Sequence, residues 1–200
     1  DQNVLHPWES FATDQKDQTV IASGEGIYVF DNDGNRFLDG PSGMWCINVG
    51  HGRREIIDAM NDQLRRLCYT SPWSHPTEPS ARLAKKLAEI SPGDLNRVFF
   101  STGGSTAVDS ALRFVMFYNN ARGRPEKKHI LSRQDAYHGS TYLSASVSGK
   151  PRDKNWLDFE TNWIHHLSSP NVYRKPEGMS DSLFCDHLVN ELETTILTVG

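Results

Sequence analysis

The chain has 200 residues, 37 % of them apolar, which is enough to bury the core of one or two domains. Its 25 acidic and 21 basic residues leave a net charge of −4, and the basic pairs Arg53-Arg54, Arg65-Arg66, Lys85-Lys86 and Lys127-Lys128 are scattered, a pattern that argues against a nucleic-acid partner. No apolar run is long enough to cross a bilayer and the first residues lack a charged-then-apolar leader, so the expectation is a cytoplasmic protein without a membrane partner.

In chain order, residues 26–30 and 36–39 read as two strands. They are joined by Asp31-Asn32-Asp33-Gly34-Asn35, whose Asp-Gly step is a hairpin signal. A Gly-rich segment over residues 40–52 leads into a helix over about 54–67, with Ile56, Ile57, Met60, Leu64 and Leu67 on one face. A second helix, over about 79–90, is expected to turn Leu83, Leu87 and Ile90 inward and to stop at Ser91-Pro92-Gly93. From residue 97 the pattern becomes strand, helix, strand, loop, the rhythm of a mainly parallel α/β sheet. Strands are expected at 97–100, 129–133 and 162–166. The amphipathic spacing of Phe184, Leu188, Leu192 and Ile196 predicts a last helix over 181–197, capped by Asp181 or Ser182. The polar stretch 149–162 reads as a surface excursion.

Three cysteines, Cys46, Cys68 and Cys185, form no C-x-x-C pair and are expected to be reduced, buried small residues. His165 and His166 are adjacent in a strand and so face opposite ways; no H-E-x-x-H occurs, and no metal site is expected.

Chemistry concentrates at two loops. The apolar run of residues 97–100 breaks at Gly103-Gly104 and reopens as a helix with Val108, Ala111, Leu112 and Val115 on one face. At such a helix start, unpaired N–H groups and the positive dipole end face outward, with Ser101, Thr102, Ser105 and Thr106 as hydroxyl donors. This makes a phosphate cradle or an ordinary strand-to-helix turn. The P-loop and G-x-G-x-x-G spacings are both absent. About thirty residues on, Tyr137-His138-Gly139 follows a strand and would lie at the same carboxyl edge of the sheet, giving the cradle an aromatic neighbour. A phosphate site beside a stacking aromatic suits a phosphorylated planar ring such as pyridoxal phosphate.

On these residues the chain resembles the class III, or ω-amino acid, aminotransferases of fold type I, dependent on pyridoxal 5′-phosphate (PLP). Further landmarks run in the same order: Gly24-Glu25-Gly26-Ile27-Tyr28-Val29-Phe30-Asp31 with Arg36-Phe37-Leu38-Asp39-Gly40, then Met44-Trp45-Cys46-Ile47-Asn48-Val49-Gly50-His51-Gly52-Arg53, and Pro92-Gly93-Asp94-Leu95 leading into the run to Phe100. Trp45-Cys46-Ile47-Asn48-Val49-Gly50 looks most like the bacterial amine or ω-amino acid:pyruvate transaminases.

The resemblance implies an α/β fold in which residues 1–55 open a small α+β domain and residues 56–200 form the first half of the large PLP-binding domain. It implies transfer of an amino group from an amine or ω-amino acid to a keto acid such as pyruvate by a ping-pong cycle in a homodimer. A class III decarboxylase or aminomutase, or a non-catalytic module that binds phosphate ligands, stays open as an alternative. Residue by residue, Gly104 and Ser105 match the phosphate-binding pair, Tyr137 the ring-stacking aromatic, and His138 and Gly139 the rest of that motif. Trp45 matches a wall of the substrate pocket, and Trp73, within residues 69–74, a loop reaching the partner subunit's site. The Schiff-base lysine and the aspartate that pairs with the pyridinium nitrogen match no position here, and Lys150, in Ser148-Gly149-Lys150-Pro151, is not read as that lysine. Two departures stand out: Thr106 replaces a frequent glutamate, and His51 a frequent tyrosine.

Overall fold

A computed structural model describes residues 4, 6–7 and 19–200, which divide into two units, Asp1–Lys85 and Lys86–Gly200. The boundary between the two units falls inside a helix.

In the first unit, β1 (Ile21–Glu25), β2 (Tyr28–Asp31) and β3 (Arg36–Leu38) form an antiparallel sheet in that order. Asp31 organises the β2–β3 turn with its own side chain. One carboxylate oxygen accepts the amides of Asp33 and Asn35 at 2.9 and 2.8 Å, and the other accepts Asn35 Nδ2 at 2.9 Å. The Asp-Gly step does mark a hairpin, whereas β1, rich in small residues, carries no strand signal in the sequence.

A single turn, α1 (Ser42–Trp45), follows the sheet and is wound left-handed: Ser42, Gly43, Met44 and Trp45 have φ of +49°, +56°, +59° and +67°. Then come α2 (Arg54–Arg66) and α3 (Glu78–Ile90), close to their expected bounds. Their apolar faces depart from expectation. Ile56, Ile57, Met60, Leu64 and Leu67 on or beside α2, and Leu83 and Ile90 on α3, are exposed, because no described element covers them. Period alone marks which face is apolar; burial needs a partner surface.

The second unit is built around α4 (Gly104–Ala121), β4 (Ile130–Arg133), α5 (Tyr142–Val147), β5 (Ile164–Leu167) and α6 (Asp181–Val199). Strands β4 and β5 pair in parallel, Ile130 opposite Ile164 and Arg133 opposite Leu167. Their core comprises Val147, Ile164, Leu167, Phe184 and Leu188, all buried, each contributing about 1.5–3 kcal/mol by leaving water. Helix α6 is also tied by polar contacts, since Glu191 accepts the Ser168 amide and hydroxyl at 3.1 Å just beyond β5. Its cap is Ser180, whose hydroxyl accepts the Leu183 amide at 3.2 Å, and not Asp181 or Ser182. Ser180 is the residue still in extended backbone, as an N-cap must be.

Residues 97–100 run without a strand ladder, a correction to the expected first strand. A strand needs a neighbour for its N–H and C=O groups, and no described segment pairs with this one. Phe99 and Phe100 are exposed, and Phe99 meets Phe114 of α4 edge-on, centroids 5.8 Å apart. The three cysteines are free, as expected, but exposed rather than buried. His165 and His166 do face opposite ways: His165 Nε2 lies 2.8 Å from His129 Nδ1, and His166 Nε2 lies 3.1 Å from the carbonyl oxygens of Val147 and Ser148. Among the described residues no helix is long and apolar enough to cross a membrane, and no three His, Cys, Asp or Glu side chains gather as for a metal ion.

Candidate functional site

Helix α4 starts where the glycines foretell. Gly103 sits in the N-cap position in extended backbone (φ 179°, ψ 170°) and no side chain caps the helix. Ala107 is the first residue whose amide bonds inside the helix, to Gly103 O at 3.0 Å. The amides of Gly104, Ser105 and Thr106 thus lie at the positive end of an 18-residue helix, without an intrahelical acceptor. A Cβ on Gly103 or Gly104 would meet nothing within 4 Å, so space for a ligand lies beside those amides. Thr106, where a glutamate would be frequent, turns its hydroxyl back onto Gly103 O at 2.8 Å and leaves the helix end without a competing negative charge.

The second loop is docked onto this helix end. The Ser140 amide donates to Ser105 Oγ at 3.0 Å, Thr141 Oγ1 donates to Ser105 O at 3.4 Å, and the Ser144 amide donates to Asp109 Oδ1 at 2.8 Å. Gly139 makes the approach possible. It is buried at φ +134°, and a Cβ there would lie 2.7 Å from Ser105 Cα and 2.6 Å from Ser105 Oγ. Only glycine fits both the backbone and the space.

The structure therefore brings Ser105 and Gly139 into contact, with Tyr137 linked through its hydroxyl, 3.0 Å from Ser140 Oγ. The Tyr137 ring is half exposed, and the Lys150 ammonium stands 5.6 Å from its centroid. His138 is held by its backbone, its amide donating to Ser148 Oγ at 2.8 Å. Asp109, Ser140, Thr141 and Ser148 were not picked out from sequence, because polar residues of loops and first helical turns carry no distinguishing pattern until the loops meet.

The first unit holds the other two predicted residues. Trp45 ends the left-handed turn and is 73 % exposed, and Trp73, in the segment between α2 and α3, is 93 % exposed. Near the turn, His51 Nε2 lies 2.9 Å from Asp39 Oδ2. That hydrogen bond, reinforced by the Gly43 amide, holds the Asp39 carboxyl below its usual value of 3.8.

The model of the family described as aminotransferase class-III matches residues 11–198. The chain belongs to the class III aminotransferases. Vanillin aminotransferase of Capsicum annuum is 38 % identical over 202 residues, covering 99 % of this chain and 44 % of that protein. Putrescine–pyruvate aminotransferase of Pseudomonas aeruginosa is 37 % identical over 189 residues, covering 93 % of this chain and 41 % of its own length. The ω-transaminase of Pseudomonas jessenii, solved in complex with PMP, superposes with a TM-score of 0.95 at 36 % identity, over 100 % of this chain and 45 % of that one. The aminotransferase chain described here thus has the α/β fold of the ω-transaminases and spans less than half the length of these relatives. The fold type I reading of the sequence holds. The residues that would meet PLP's phosphate also fit it physically: uncapped amides, open space beside Gly104, and a hydroxyl at Ser105.

Proposed function

We propose that the protein carrying this chain is a PLP-dependent transaminase, moving an amino group from an amine or ω-amino acid to a keto acid such as pyruvate in a ping-pong cycle, as a cytoplasmic homodimer. The observation that carries the reading is the contact of Gly139 with Ser105, which seats an aromatic loop against an uncapped helix N-terminus. Family membership supports the reaction class, and the name of the Pseudomonas aeruginosa relative supports pyruvate as acceptor.

In this reading the amides of Gly104, Ser105 and Thr106, with the Ser105 hydroxyl, hold the phosphate at the α4 dipole. Tyr137 covers one face of the pyridine ring, while His138 and Gly139 shape the loop that presents it. Bound PLP supplies the electron sink for the transamination. Trp45 and Trp73 wall the amine pocket, Trp73 on a loop that reaches the partner subunit; the exposure of Tyr69 and Trp73 supports a partner surface there. An engineered Pseudomonas jessenii variant with a tryptophan replaced by glycine, made for synthesis of bulky amines, supports a tryptophan as the limit on amine size. The lysine linked to the cofactor and the aspartate facing its ring nitrogen belong to sequence outside these 200 residues. Residues 1–55 open the small domain and residues 56–200 the large one.

The test is to load the full-length protein with PLP and offer pyruvate with a panel of amines and ω-amino acids, following alanine formation. At least one donor should give alanine, and light scattering should report a dimer. Failure of every donor with pyruvate and other keto acids would sink the transaminase reading.

A further inference from the structure

The left-handed turn α1 is an expensive way to carry a side chain. Ser42, Met44 and Trp45 all lie at positive φ, where a residue with a Cβ costs about 1–2 kcal/mol relative to right-handed backbone. Such a turn persists only where its surroundings over-determine it.

Within the turn the Trp45 amide donates to Pro41 O at 2.8 Å and the amides of Cys46 and Ile47 donate to Ser42 O at 3.0 and 2.9 Å; Asp39, directly after β3, holds the turn's first two residues. Its carbonyl oxygen accepts the Ser42 amide at 3.2 Å and its Oδ1 accepts the Gly43 amide at 3.2 Å, so both residues that start the left-handed winding are held by one side chain and its own backbone. The other carboxylate oxygen meets His51 Nε2 at 2.9 Å. His51 is itself fixed to the first sheet. Its backbone exchanges two hydrogen bonds with Gly26, at 2.8 and 3.1 Å, and its ring lies so close over Gly24 that a Cβ there would come within 2.7 Å of the imidazole. The Asp39 side chain is 10 % exposed and that of His51 23 %, so water competes weakly for the pair. A continuous path runs from the β1–β2 turn through His51 and Asp39 to Gly43, two residues before Trp45.

We propose that Asp39 and His51 are positioning residues that hold the Ser42–Trp45 turn left-handed, and thereby fix how Trp45 presents its indole to the amine and set selectivity for amine size. This rests on the reading of Trp45 as a pocket wall. Neither residue touches the amine. A purely structural role would lower the rates for all amines together, whereas a positioning role changes their ratio and acts only while the tryptophan is present.

The experiment uses full-length protein loaded with PLP, propylamine as the small donor, benzylamine as the bulky donor, and pyruvate as acceptor. Asp39→Ala should change the benzylamine-to-propylamine ratio of kcat/KM by about three- to tenfold, and by less than about twofold when Trp45→Ala is already present. Asp39→Asn, which keeps an acceptor for the Gly43 amide, should recover most of the wild-type ratio. Without activity as the readout, deuterium uptake at residues 42–47 should rise about tenfold or more in Asp39→Ala. An unchanged ratio in Asp39→Ala, alongside a changed one in Trp45→Ala, overturns the proposal. So does a shift of equal size in both backgrounds. If Asp39→Ala does not fold, His51→Gln reads the same ratio and exchange, and wild-type values for both overturn it. If Trp45→Ala itself leaves the ratio unchanged, the pocket-wall reading fails and takes the selectivity role with it; the hold on the turn is then decided by exchange alone.

Discussion

Replacing Gly139 with alanine tests the contact on which the proposed cofactor site depends. The new Cβ would lie 2.7 Å from Ser105 Cα, 2.6 Å from Ser105 Oγ and 2.4 Å from Ser144 Oγ. Ordinary carbon contacts fall at about 3.5–4.0 Å. A serine hydroxyl can rotate away, but the Ser105 Cα belongs to α4 and cannot. A backbone held at φ +134° adds strain of about 1–3 kcal/mol for any residue with a Cβ, and forced overpacking typically adds about 1–3 kcal/mol more. The cheapest relief moves the loop off the helix, breaking the bonds of Ser140 and Thr141 to Ser105. If about 3 kcal/mol of this falls on the docked state, PLP affinity drops roughly a hundredfold. Titration of PLP into the full-length variant, followed by visible absorbance, measures the drop, and a thermal scan separates loop release from global unfolding. An affinity within about threefold of wild type, at unchanged melting temperature, would refute the rigid contact between the loop and α4.

Three further outcomes follow from the same geometry. Gly104→Asp meets no steric obstacle and places a negative charge in the first turn of α4; it should hold or raise the stability of the PLP-free protein while cutting PLP affinity by about a hundredfold, and equal effects on both would contradict a phosphate at this helix end. Tyr137→Ala should weaken PLP binding by up to about tenfold through loss of the ring face, whereas Tyr137→Phe, which keeps the ring and loses the hydroxyl that meets Ser140 Oγ, should weaken it by less; absorbance titration of the two variants side by side decides. The Asp39 carboxyl titrates below its usual value of 3.8 when folded, so its contribution to stability is full above that value and is lost as pH falls through the lower, folded one. The gap between the urea midpoints of wild type and Asp39→Asn should therefore be full at about pH 5 and narrow as pH falls below 3.8, and a constant gap would assign the difference to something other than this ionisation.

Much of the secondary structure was decided by the sequence alone, because its causes are local. The β2–β3 turn follows from Asp31 bonding within four residues of itself, and α2, α3, α4 and α6 follow from apolar residues repeating at the helical period. The start of α4 at Gly104 was legible for the same reason, since the glycine pair ends one pattern and the next begins beside it. The residues proposed for the phosphate and the ring were picked out by resemblance, yet what fixes them to one another was not visible. Ser105 and Ser140 meet across 35 positions, and Asp39 and His51 across 12. No period or cap extends that far.

The exposed faces of α2 and α3 and the unpaired run at 97–100 have the same origin. Sequence marks a surface or a strand as wanting a partner, but only the fold supplies or withholds it. The handedness of the Ser42–Trp45 turn lay furthest from prediction. Local sterics oppose it at three of its four residues, and the Asp39 carboxylate that accepts the Gly43 amide is itself met by His51 from 12 positions away, a contact no local pattern announces.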